Sequence, residues 1–167
     1  ETMNILTLVL RLIHILAGIF WVGAAWVMTL YVSPTAGATG DAGQQFMRHF
    51  MGKTNLQKML MASSITSVIA GIILFVRNPP GWAGSSAGIG FGIGSFFALI
   101  GLVFGILIGR NGSTIMQLGM QIKGQPTPEQ LAQLQTIQEQ QRMYSTINAY
   151  SLLLAVVFMA TSRYFNF

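Results

Sequence analysis

The sequence predicts an all-α, polytopic membrane protein: a bundle of four transmembrane helices with helical extensions on the cytoplasmic side. Three observations predict it. The 167-residue chain is 52% hydrophobic and only 8% charged, whereas a soluble domain carries about 25% charged residues. Its mean hydropathy is positive, +0.58. Four apolar stretches, at 5–32, 57–76, 89–109 and 144–165, each come near the ~20 residues a spanning helix requires. Backbone polar groups in lipid must find partners internally, and helices supply them. The length fits one domain over 1–167.

The first span, 5–32, is the longest. As a helix it makes a rod of roughly 42 Å, longer than the ~30 Å hydrocarbon core. No small-residue cleavage site follows a short apolar region, so the span reads as retained. Pro34 and the glycines of SPTAGATGDAG predict a break after it. Asp41 then fits the cap of a short helix running to about Met51. The second span, QKMLMASSITSVIAGIILFV, ends in the turn NPPGWAGSSAG, where Trp82 suits the membrane interface. After the third span, KGQPTP marks a turn and EQLAQLQTIQEQQRM a polar helix running into the fourth. Thr127 and Pro128 fit an N-cap and a first helical position. Spans three and four are therefore expected to continue as a helical hairpin over 110–143, with its tip at 123–128.

Charge sets the expected orientation. Arg48, Lys53, Lys58, Arg110, Lys123 and Arg142 accompany the connections after spans one and three; Arg11, Arg77 and Arg163 lie toward the opposite face. Six against three places those connections in the cytoplasm and both termini outside, across a bacterial inner membrane. The same clustering assigns the pI near 10.1 to lipid headgroups, with no nucleic-acid partner implied. There are no cysteines, which excludes disulfides, thiolate metal sites, iron–sulfur clusters and covalent haem attachment. No span contains an acidic residue, which argues against a proton pump or a carboxylate-based cation carrier.

His14 is the focus of the functional reading. A histidine inside an apolar span is costly and needs a partner. Gly18 lies one turn along the same face, leaving room for a planar macrocycle, and Arg11 lies one turn toward the outer end, where it fits a haem propionate. Neutral imidazole is a common axial ligand of haem iron. The structural alternative is a histidine bonded to Ser, Thr or Asn of another helix; span two offers Ser63, Ser64, Thr66 and Ser67. Span four brings Met159 and Arg163 to the expected depths of His14 and Arg11. A histidine–methionine ligand pair and a five-coordinate iron are both open. The expected cofactor is haem b, with His14 as the metal ligand and Arg11, Gly18, Met159 and Arg163 around it.

Two further patterns stand out. Gly90 and Gly94, then Gly101, Gly105 and Gly109, are spaced four apart, so one face of span three is bare. That face predicts close helix packing, open to a partner membrane protein or a second copy, with clearance for a flat cofactor such as a porphyrin as the functional alternative. His49, the only other histidine, is flanked by Met47 and Met51, which offers a soft copper site as an alternative to apolar methionine packing. Helix rise separates His49 from His14 by most of the bilayer, so one haem cannot use both.

The run LRLIHILAGIFWVGAAWVMTLYVSP, with His14, Ile15, Trp21 and Gly23, resembles the first transmembrane helix of a group of small bacterial membrane proteins. That group includes the copper resistance D-like integral membrane proteins and the HemJ-type protoporphyrinogen oxidases. The resemblance implies a haem-binding membrane helix with His14 on the family's histidine. The HemJ-type pattern continues with a proline–arginine pair and a second histidine, and carries a lysine entering span three. Here YVSPTAG and Ser-Ala-Gly-Ile-Gly stand at those places, which argues against porphyrinogen oxidation. The functional expectation is a membrane b-type haem protein in electron transfer or redox chemistry. The alternatives are a cofactor-free accessory subunit, a copper-handling protein and a small-molecule transporter.

Overall fold

Asn4 opens the first helix by accepting the Thr7 N–H at 3.3 Å. The computed structural model describes residues 4–122 and 124–165. Helix α1 (Ile5–Val27) passes into a π-helical turn (Met28–Val32) and then α2 (Ser33–Ala38). Together they form one rod of 34 residues, Ile5–Ala38. The break expected at Pro34 is therefore absent; the proline stands in the first turn of α2. The cause lies just before it. The Ser33 N–H reaches back five residues to the Met28 carbonyl, and this wider register absorbs the missing N–H and the ring of Pro34.

The rod ends at Gly40, where φ is +57°. Helix α3 (Gly40–Lys53) starts there, so Asp41 occupies its first turn instead of capping it. A carboxylate in that position still favours the helix N-terminus. Helix α4 (Leu56–Val76) follows. The next turn passes through Gly81 at φ +85° and a 3-10 turn (Trp82–Gly84). Trp82 is half-buried there, its ring 5.5 Å from Phe75 and 5.7 Å from Phe91, and so joins α4 to the next helix.

Helix α5 (Ser86–Gln121) is 36 residues long and α6 (Pro128–Thr161) is 34. Ser85 caps α5 by accepting the Gly88 N–H. Thr127 and Gln130 cap α6 reciprocally, with Pro128 in its first turn, as the sequence predicts. Both helices run past the apolar spans into the expected hairpin; Lys123, at its tip, lies outside the described residues. A 3-10 turn (Ser162–Tyr164) closes the chain's last described segment. Four helical segments are long and apolar enough to cross a membrane, and no strand occurs among the described residues. The protein is an all-α, multi-pass membrane bundle.

The helices associate chiefly as two antiparallel pairs, α1 with α4 and α5 with α6. The second pair is built on the glycine face. A Cβ on Gly94 would lie 2.7 Å from Met159 Cγ, and one on Gly101 would lie 2.6 Å from Leu152 Cδ2. Leu152 is 1% exposed and Asn148 is 3% exposed. Asn148 donates from Nδ2 to the Gly101 carbonyl at 2.6 Å. The bare face of Gly90, Gly94, Gly101 and Gly105 is thus filled by the chain's own C-terminal segment, and Gly109 is approached by Gln57 of α4. It is not a free surface for another protein, which corrects that expectation. The two pairs are pinned where Trp26 Nε1 donates to the Ala149 carbonyl at 3.0 Å and Thr29 Oγ1 to the Ser145 carbonyl at 3.4 Å.

Candidate functional site

His14 is nine residues into α1, and Ser67 is nine residues from the end of α4. The antiparallel pairing therefore brings them to one level. The His14 Nδ1 lies 2.7 Å from the Ser67 carbonyl oxygen. A carbonyl only accepts, so the proton sits on Nδ1. In return, the Ser67 hydroxyl donates to the His14 carbonyl at 3.2 Å and lies 3.3 Å from Nδ1. Each residue thus bonds the backbone of the other. Such cross-helix bonds in membranes are worth about 0.6 kcal/mol on average.

Two glycines make this approach feasible. A Cβ on Gly18 would stand 3.3 Å from Ser67 Oγ, and one on Gly71 would stand 2.9 Å from His14 Cε1. Gly71 is one turn beyond Ser67, so the pair forms a small-residue seam on α4 into which the imidazole fits. The space beside Gly18 is occupied by the serine hydroxyl, not left open for a macrocycle. The sequence singles out His14 and Gly18 and counts Ser67 among helix cross-linkers. It does not single out Gly71. The four-residue spacing of Ser67 and Gly71 is the signal that finds it.

Among the described residues no hydrogen bond joins the remaining site residues to the imidazole. Arg11 is exposed, one turn toward the start of α1. Met159 packs against Gly94 of α5, so no described contact joins it to His14. Arg163 is exposed, with its guanidinium 5.1 Å from the Tyr164 ring centroid. The cause is the tight α5–α6 pairing, which directs the last turns of α6 toward α5. Trp21, of the quoted motif, is 6% exposed, while nothing lies within 4 Å of a Cβ on Gly23.

His49 is exposed on α3, with Met47 and Met51 half-buried. Residues two apart on a helix do not face each other, so the three side chains do not converge. Among the described residues no group of three or more His, Asp or Glu assembles as a metal site.

The imidazole itself suits an axial haem ligand. Both of its hydrogen-bond contacts use Nδ1; among the described residues none uses Nε2. A carbonyl on the Nδ1 proton fixes the ring and raises the basicity of Nε2, which is the common second-sphere arrangement of metal-bound histidines. The donor set provides one protein ligand from this half of the bundle.

No protein-family model, no curated protein and no solved structure matches this chain.

Proposed function

We propose that the protein is a membrane b-type haem protein, with His14 Nε2 as its one protein ligand to iron and a role in electron transfer or redox chemistry. The observation that carries this is the bond from Nδ1 to the Ser67 carbonyl at 2.7 Å, which orients the ring and leaves Nε2 with a free lone pair. The resemblance around His14, Ile15, Trp21 and Gly23 to the copper resistance D-like and HemJ-type group supports the same reading. Haem, when bound, supplies a one-electron couple. The chain's part is to hold the imidazole fixed, with Ser67 behind it and Gly71 against its edge. Arg11 supplies a positive partner for a propionate at the outer end. In this reading both termini lie outside, and the 33–56 and 110–143 connections are cytoplasmic, from the Lys/Arg asymmetry.

The second reading is a cofactor-free accessory subunit. It is favoured by the reciprocity of the same contact, since Ser67 already satisfies His14 as a helix clamp. Haem content decides between them. The whole chain, expressed with ample haem and purified in detergent, is expected to hold one haem per protein. A haem-free protein would favour the accessory subunit.

A further inference from the structure

An apolar groove of ≈ 380 Å³ runs along the surface of the bundle at the end of α1 remote from Arg11. Gly23, Ala24, Val27 and Met28 form one wall, and Phe50 and Leu56 face them. The first wall reaches from Ile19 to Val32, about 20 Å of helical rise. That exceeds the ~15 Å of hydrocarbon in one leaflet. The groove stays open because Gly23 has no side chain and nothing lies within 4 Å of where its Cβ would be.

The far wall belongs to the elbow between α3 and α4. The same elbow carries Lys53, in the last turn of α3, and Lys58, in the first turn of α4, both exposed. No acidic residue occurs between Asp41 and Glu129 to neutralise them. One elbow therefore carries both a wall of the apolar groove and a pair of exposed cations.

We infer that the elbow and groove bind one anionic phospholipid, its acyl chain along Gly23 and Val27 and its headgroup phosphate on Lys53 and Lys58. The acyl chain answers a lining of apolar side chains. The negative headgroup answers cations that have no acidic neighbour in the sequence. No histidine lines the groove, so this site is separate from the His14 reading and does not depend on it.

Native mass spectrometry of the whole chain in detergent tests the inference, after equilibration with equal amounts of phosphatidylglycerol and phosphatidylcholine of identical chains. The wild type is expected to retain phosphatidylglycerol in preference. Lys53→Gln and Lys58→Gln should each reduce that preference about fivefold, and the arginine variants should restore it. Gly23→Leu should fill the groove and lower retention of both lipids. Equal retention of the two lipids by the wild type would overturn the inference. So would a preference that survives Lys53→Gln/Lys58→Gln, or lipid retention indifferent to Gly23→Leu in a folded protein. The lysine variants alter exposed side chains, so they read the headgroup site independently of groove packing.

Discussion

Gly71 lies directly against the His14 imidazole: a Cβ there would be 2.9 Å from Cε1 and 3.1 Å from Nδ1. Only glycine lets α4 come this close while the ring keeps its bond to Ser67. Gly71→Val should therefore push the two helices apart and destabilise the bundle by about 1–3 kcal/mol. Thermal unfolding in detergent checks this. An unchanged midpoint would mean that α1 and α4 do not meet at this seam.

Ser67 contributes its backbone carbonyl as well as its hydroxyl. Ser67→Ala removes only the hydroxyl, so the 2.7 Å bond to Nδ1 survives. The cost should be near the ~0.6 kcal/mol typical of one membrane hydrogen bond. His14→Ala removes the Nδ1 bond and the ring packing, leaves the hydroxyl's bond to the backbone carbonyl of residue 14, and should cost more. Equal losses in the two unfolding curves would transfer the main role from the carbonyl to the hydroxyl.

The glycine face of α5 gives a graded series. Gly94→Leu and Gly101→Leu force side chains into Met159 and Leu152, and should lose at least about 1–3 kcal/mol. At Gly92 nothing lies within 4 Å of the added Cβ, so Gly92→Leu should keep wild-type stability. If all three variants unfold alike, the face does not pack on α6.

The topology follows from charge and is tested chemically. The chain has no native cysteine, so single cysteines at Gly84 and Gln125 can be labelled without background. They should react from opposite sides, Gly84 from outside and Gln125 from the cytoplasm. Labelling of both from outside would reverse the assignment of the α5–α6 hairpin.

Much of this architecture is legible in the residues. Apolar runs and the polar helix after KGQPTP locate the spans and the hairpin, and Thr127-Pro128 marks the start of α6 to the residue. Pro34 misleads because its usual effect is absorbed by a π-turn, which depends on how Met28–Val32 hydrogen-bond and not on their types. The glycine spacing of span three shows that one face is bare. It does not show what fills it, since Leu152 and Met159 become neighbours only once α6 folds back. His14 is conspicuous because a polar ring and apolar surroundings conflict locally. Its partners Ser67 and Gly71 lie more than fifty residues away, and small residues are common in membrane helices. Met159 is subject to the same limit, since it packs against Gly94 of α5. Depth along a helix is readable from sequence, but the direction in which the side chain faces is set by packing.

Whether His14 holds haem through Nε2 can be read from an absorption spectrum. Wild-type protein, purified after expression with ample haem, should show a Soret band with the features of a single histidine ligand. His14→Ala should abolish or shift that band. Met159→Ala and His49→Ala should leave it unchanged, because Met159 packs against Gly94 of α5 and His49 is exposed on α3. No Soret band in the wild type, or a band that survives His14→Ala unaltered in a folded protein, would rule out His14 as a haem ligand.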